Sequence, residues 1–455
     1  MKSKVIFLIA SCLAVACAQN AAQQTRLQPP VPDLLKDMAG RPPMHLDQFK
    51  QFALTANPTL QQANALVRQS AAQARQMGLL PNPSVGYEGS EIRGGSFRGG
   101  EQGAFVQQTF VLGGKLGLRR NAFEEQRREH EFAEAEQRSR VLSDVAQSYY
   151  RTLGAQELVK VRRNLVELAN DAVETAHQLA NVGQADAPDV LQAEVEAEQA
   201  TVDYTTAQRR YIQEFRILAA LAGKPDLPPS PLAGDLREMP TIDPDRILND
   251  ILQDSPSIKR ARQAVLQAEA EWKSARRESI PDLQIRAGLQ QNFEPLNGSG
   301  GAAVGAQGFV TASVALPIFN RNQGNADAAK ADVERARAEL ERVQLSLRRS
   351  AQPLIQAYLS GRAEADGYKN EMIPRAARAY QLYLAKYRQM GAAYPQVIVS
   401  QRTWFQLQAA YVSVLQSVWS NAIALQNYTL SGGLDAPIPS GTTSTGVNPP
   451  NASIP

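Results

Sequence analysis

Between residues 283 and 290 the chain alternates strictly: Leu283, Ile285, Ala287 and Leu289 are interleaved with Gln284, Arg286, Gly288 and Gln290. Successive side chains of a strand point to opposite faces, so a period of two predicts a β-strand with one apolar and one polar face. One face suits lipid and the other suits water. A partner strand is predicted at 309–316, with weaker equivalents at 84–92 and 104–111. Glycine-rich stretches, 93–103 and 292–308, join the strands as loops.

Elsewhere the period lengthens to that of a helix. Residues 117–181 contain no proline and one interior glycine, Gly154. A continuous helix there would be about 100 Å long at 1.5 Å per residue. Ala329, Val333, Ala336, Leu340, Val343 and Leu347 fall at spacings of four and three, a coiled-coil seam, and Val161, Leu165, Leu168 and Ala172 repeat it. Alanine on such a seam brings helices close together. Pro353, Gly361, Gly367 and Pro374 interrupt the later long segment, which predicts kinks or a break. Shorter helical segments are predicted at 45–56 and 243–253.

These patterns occur twice. Asn57-Pro58-Thr59-Leu60 recurs as Ser255-Pro256-Ser257-Ile258, and Leu80-Pro81-Asn82-Pro83 as Ile280-Pro281-Asp282-Leu283. Asn181-Val182-Gly183-Gln184 corresponds to Gln389-Met390-Gly391-Ala392, with Pro188 and Pro395 shortly behind. Ordered coincidences at one offset make an internal duplication, each half reading helix, strand, strand, very long helix, glycine break, long helix. The chain therefore divides into a signal at 1–17, an N-terminal segment at 18–44, repeat 1 at 45–222, a linker at 223–242, repeat 2 at 243–432 and an irregular tail at 433–455. The strand pairs fall at about 84–111 and about 283–316.

The first residues indicate export. Met1-Lys2-Ser3-Lys4 precedes a short apolar run ending in small side chains, which is a secretory signal rather than a spanning helix. Ala16-Cys17-Ala18 fits ordinary cleavage, whereas Leu13-Ala14-Val15-Ala16-Cys17 fits a lipoprotein site with Cys17 acylated, and both readings stand. Cys12 and Cys17 are the only cysteines, so the body has no disulfide framework. The net charge of +3 falls to about +1 without Lys2 and Lys4, and basic and acidic residues are interspersed, which argues against a nucleic-acid partner. No later apolar run approaches the ~20 residues of a spanning helix, so membrane entry would require a barrel. Four strands cannot close one without bare edges, whereas three chains would supply twelve.

In this order and spacing, the Pro-flanked strand entries, Gly113-Gly114-Lys115 after the first strand pair and Leu316-Pro317-Ile318-Phe319-Asn320-Arg321-Asn322-Gln323-Gly324 after the second resemble the outer-membrane efflux protein family typified by TolC. The resemblance covers essentially the whole mature chain and is nearest to the lipoprotein channels that serve heavy-metal and multidrug RND pumps. It implies a mainly α fold with a small β part: a homotrimer forming a twelve-stranded outer-membrane barrel continued by an α-helical coiled-coil tunnel. It also implies partners, namely outer-membrane lipid, a periplasmic adaptor (membrane fusion) protein and an inner-membrane pump of RND type.

The same resemblance implies roles for the hairpin tips, Val182-Gly183-Gln184 and Met390-Gly391-Ala392, which would dock the adaptor and hold the periplasmic end closed until docking. Gly183 and Gly391 permit the tight reversal. The family's tip carries Val-Gly-Leu, so Gln184 departs from it and Met390 is only a similar apolar residue. Asp189 lies where the family places an aspartate of the gate network, and Asp186 precedes it by one turn; N-capping beside Pro188 is the competing reading for both. The family's second aspartate ring does not carry over, because Val397 and Ser400 stand in those places.

His45, His130 and His177 lie far apart and no local metal-ligand set can be assembled, so neither a metal site nor a cofactor is expected. Catalytic motifs are also lacking, which argues against an enzyme. The competing class is a periplasmic adaptor or a coiled-coil stalk without a pore. An adaptor would carry one helical hairpin, whereas two are read here, and a stalk would have no use for two-faced strands.

Overall fold

The structure, a computed structural model, describes residues 38, 40–92, 99–183, 185–295, 301–389 and 394–437. In chain order its elements are α1 (Leu46–Ala56), α2 (Pro58–Met77), β1 (Ser84–Ser90), β2 (Glu101–Phe110), α3 (Lys115–Asn181) and α4 (Ala187–Leu221). The second series is α5 (Pro244–Asp254), α6 (Pro256–Arg277), β3 (Leu283–Pro295), β4 (Ala303–Val314), α7 (Gln323–Gly367), α8 (Ile373–Arg388) and α9 (Tyr394–Gln426). The order within the two series matches the duplication. Asn57 caps α2 by accepting from the Thr59 amide at 2.9 Å, and Ser255 occupies the matching cap of α6.

The described residues form two compact units, each drawing on both repeats. A hairpin unit comprises the described parts of Met1–Ala53, Val145–Pro240 and Ala357–Asn421, and a sheet unit those of Leu54–Asp144, Thr241–Gln356 and Ala422–Pro455.

In the sheet unit the strands pair antiparallel in the order β1-β2-β3-β4. Two expected loops are shorter than the glycine pattern suggested. Glu101–Gly103 belongs to β2, while 292–295 and 303–308 belong to β3 and β4. At Gly103 the neighbouring strand leaves no room for a side chain: a Cβ there would lie 2.7 Å from both the Cα and the Cβ of Gln290.

Gly113 and Gly114, both at φ +70°, turn the chain out of β2 into α3. Lys115, 3% exposed, then reaches into the second repeat, pairing with Asp282 at 2.5 Å and donating to the Ile280 carbonyl at 2.8 Å. One turn later Arg119 grips Glu278 through two hydrogen bonds of 2.9 and 2.8 Å. The Gly-Gly-Lys motif thus ties the foot of one strand pair to the foot of the other. Farther along, Arg260 of α6 meets Glu129 of α3 at 2.9 Å, and Val333 and Ala336 of α7 pack with Ala268 of α6.

Helix α3 runs unbroken for 67 residues. Pro353 lies inside α7 without ending it, and Gly361 is helical too, so the breaks expected there do not occur. The interruption is instead a π-helical turn, Tyr368–Met372, in which the Ile373 amide bonds back to the Tyr368 carbonyl. Pro374 follows at once; having no N–H, it cannot continue an ordinary α ladder, and the wider turn accommodates it.

In the hairpin unit Gln156 binds both backbone groups of Leu232, at 2.8 and 3.1 Å, and Trp419 donates to the Leu236 carbonyl at 2.9 Å. Residues 223–242 are therefore pinned by buried side chains, with Leu232 and Leu236 in the core. The start of the tail is held within the sheet unit. Asp144 accepts from the amides of Gly432 and Gly433 at 3.1 and 2.7 Å, while the Gly433 carbonyl accepts from Thr59 and Gln137. A Cβ on Gly433 would stand 2.7 Å from the Val141 Cα, so only glycine fits there.

Asp144→Ala removes the acceptor of two amides, and a buried polar group left unpaired costs about 1–3 kcal/mol. The expected result is a lower thermal midpoint and faster proteolysis near Leu430, with Asp144→Asn, which keeps an acceptor oxygen, affected less.

Candidate functional site

Two places carry the features that the sequence reading singled out: the faces of the sheet, and the end of the hairpin unit where the helices reverse.

Pairing places Val85, Val106, Ala287 and Val310 side by side, and Tyr87, Ala104, Leu289 and Gly308 in the next row. Phe110, Leu283 and Val314 continue this face, which holds no charged residue in the paired rows. Val85, Leu289 and Val310 are 77%, 74% and 76% exposed. The opposite face has rows Ser84, Gln107, Arg286, Thr311 and Glu88, Gly103, Gln290, Gln307. Between them lies the row Gly86, Phe105, Gly288, Phe309. The rings lie flat over their glycine neighbours: a Cβ on Gly86 would meet Phe105 at 2.5 Å, and one on Gly288 would meet Phe309 at 2.7 Å. The guanidinium of Arg286 stacks over Phe105, 3.8 Å from the ring centre, and pairs with Glu88. Among the described residues the outer edges of β1 and β4 bond to no other strand.

At the reversal between α3 and α4, Gly183 has φ +71° and its amide bonds to the Ala180 carbonyl at 3.0 Å. Val182 is 65% exposed beside it. Asp186 occupies the N-cap of α4, but its side chain makes no capping bond; its carbonyl accepts from Asp189 at 3.0 Å. Asp189 lies in the first turn, half-buried. The phenol pKa of Tyr387 is raised by burial first and by the Asp189 carboxylate second, so α4 and α8 lie close enough here for the two side chains to feel each other. Gln184, Met390, Gly391, Ala392 and Cys17 lie outside the described residues. Val397 and Ser400 are buried, and the Ser400 hydroxyl donates to the Val397 carbonyl at 2.8 Å.

Small residues make the seam of this hairpin: Ala169 packs with Ala197 and Ala200, and Ala176 with Ala193. The predicted seam positions Leu165 and Leu168 are half-buried beside them. Tyr380, Tyr387 and Tyr394 fill the contact between this hairpin and α8 and α9. A groove of about 250 Å³ opens there, lined by Arg162, Glu196, Asp203, Gln401, Arg402 and Phe405. Two ion pairs cross it, Arg162 to Asp203 at 3.0 Å and Arg402 of α9 to Glu196 of α4. Sequence reading passed over these charges because each resembles an ordinary solvated flank of a coiled coil.

His130 contacts the Ser70 hydroxyl at 2.5 Å and His177 contacts Glu194 at 3.2 Å. Burial lowers the pKa of His130. No cluster of metal-ligating side chains occurs among the described residues.

With these surfaces in place, the chain compares as follows. The profile of the outer membrane efflux protein family matches residues 51–224 and 247–429. The cobalt-zinc-cadmium resistance protein CzcC of Cupriavidus metallidurans is 25% identical over 395 residues, spanning 87% of this chain and 91% of its own. The cation efflux system protein CusC of Escherichia coli is 23% identical over 394 residues, 84% of this chain and 85% of its own. The toluene efflux pump outer membrane protein TtgC of Pseudomonas putida is 27% identical over 60% of this chain. Among solved structures, CusC superposes with a TM-score of 0.70 at 18% identity, over 85% of this chain and 92% of that one. The outer membrane protein VceC of Vibrio cholerae gives 0.68 at 18% identity, over 85% and 96%.

No atom lies within 4 Å of a Cβ built on Gly183, so its substitution strains backbone rather than packing. Gly183→Asn, which tolerates positive φ, is expected to keep efflux, and Gly183→Val to lose most of it with membrane-inserted protein unchanged. Loss of inserted protein in the valine variant would make Gly183 a folding element.

Proposed function

This chain belongs to the outer membrane efflux protein family and is the outer-membrane channel component of an efflux pump; we propose that it works as a homotrimer closing a twelve-stranded barrel. The observation that carries the trimer is the four-stranded sheet with one uncharged face, one polar face and two open edges. Unpaired backbone groups are not tolerated in hydrocarbon, and pairing β4 of one copy with β1 of the next satisfies both edges. The uncharged face then meets lipid and the polar face lines the lumen. The long helices continue the conduit as a periplasmic tunnel.

The hairpin tips dock a periplasmic adaptor, which links the channel to an inner-membrane pump of RND type. Metal cations are the favoured cargo, because CzcC and CusC match over most of the chain, whereas the toluene-pump relative matches over less. The channel needs no resident metal for this: selection among metals belongs to the pump. Arg402 and Glu196 form part of the resting gate, tying α9 to α4. Asp189, beside Tyr387, adds to it. The exported amino terminus ends in a lipid anchor if Cys17 is acylated.

Imaging of detergent-extracted protein tests the trimer directly: a hollow three-fold particle is expected, and a monomer or a solid stalk overturns the proposal. Val310→Arg places a charge on the uncharged face, at about 2–4 kcal/mol per chain near mid-membrane, and should deplete membrane-inserted trimer. Thr311→Arg, one residue on and facing the lumen, should not.

For the gate, Arg402→Ala and Glu196→Ala are each expected to raise single-channel conductance in planar bilayers. The double variant should rise no further than either alone, since both delete one tie.

A further inference from the structure

Within the paired rows of the sheet's polar face the charged side chains are Glu88, Glu101 and Arg286. They are treated differently by their neighbours. Arg286 is neutralised by Glu88 and its flat surface is covered by Phe105 at 3.8 Å, with Phe309 at 5.7 Å on the other side. Its Nε makes no hydrogen bond, as befits a guanidinium laid on a ring. Glu101 receives no cation among the described residues. Its two carboxylate oxygens accept instead from neutral amides, Gln290 at 2.8 Å and Asn292 at 3.0 Å. Gln290 is itself steadied by Gln307 at 3.4 Å, and Asn292 is buried. Neutral donors fix the position of an anion without cancelling its charge. One side of this face is thus a closed, neutral pair, and the other is an oriented carboxylate that meets no cation among the described residues.

We propose that Glu101 gives the barrel lumen a preference for cations, with the Arg286 charge withheld from the lumen by Glu88 and Phe105. The inference rests on the closed-barrel reading above, which brings three copies of Glu101 to one level of the pore. Twelve strands about 4.8 Å apart and tilted by about 40° give a backbone radius of roughly 12 Å. The screening length is about 10 Å at 0.1 M salt and about 3 Å at 1 M, so a wall charge is felt across such a lumen in dilute salt and lost in concentrated salt. The assignment puts charge selection in the barrel rather than at the second hairpin, where the uncharged Val397 and Ser400 are buried.

The test is the reversal potential of the full-length channel in planar bilayers under a KCl gradient, near 0.1 M and again near 1 M. Wild type is expected to prefer potassium at low salt and to lose that preference at high salt. Glu101→Gln, nearly isosteric, should cut the permeability ratio at least twofold toward unity. Gln307→Lys adds a positive charge next to the amide chain without touching Glu101, and should cut it comparably; it keeps the test alive if Glu101→Gln fails to insert. Arg286→Gln, which frees Glu88, should move the ratio the opposite way. Unchanged ratios in Glu101→Gln and Gln307→Lys channels of normal conductance would overturn the assignment. A wild-type protein that forms no channel would instead overturn the closed barrel on which it rests.

Discussion

A backbone amide or carbonyl in hydrocarbon has no water to bond, and the exposed edges of β1 and β4 meet that constraint head on. Most of the remaining architecture follows from satisfying it. A sheet of four strands is too narrow to curl onto itself, so in the proposed trimer the missing partners come from other copies. Under the proposed closure the alternation gains a direction: the row Val85, Val106, Ala287, Val310 faces outward, because the opposite rows hold Arg286, Glu88 and Glu101.

Glycine serves two different purposes in this sheet unit. At Gly113 and Gly114 it supplies positive φ for the turn into α3, where Lys115 and Arg119 lock the first repeat to Asp282 and Glu278 of the second. At Gly86 and Gly288 it supplies empty space, into which Phe105 and Phe309 lie flat. The flat rings then form the platform on which Arg286 rests. Removing any layer exposes the next, so backbone, ring and guanidinium form one interlocked stack.

In the proposed channel the hairpin unit answers a different need, that of holding long helices close while leaving them free to part. Alanines at 169, 176, 193, 197 and 200 allow close approach with little side-chain interdigitation. Polar ties, Arg162 to Asp203 and Arg402 to Glu196, supply contacts that water can replace at small cost. A seam of larger apolar residues would expose more apolar surface to water on opening, at greater cost. Tyrosines provide the apolar bulk where α8 and α9 meet the first hairpin, with Tyr387 lying near Asp189.

Periodicity and repetition made the elements legible in the sequence: the two-faced strands, the unbroken α3, the helix starts at Pro58 and Pro256, and the duplicated order. These depend on local chemistry, namely side-chain alternation, the absence of helix breakers, and prolines at helix starts. Residue pairings between strands and between helices were not legible, because register joins residues some 200 positions apart and leaves no local trace. That is why the glycine-rich ends of β2, β3 and β4 read as loops, although Glu101 pairs with Asn292 and Asn292 with Gly305. It is also why Arg402 and Glu196 looked like ordinary surface charges. Only the tertiary structure decided which charges are paired and which, like Glu101, meet only neutral donors among the described residues, since the field of a side chain is set by its neighbours in space rather than in sequence.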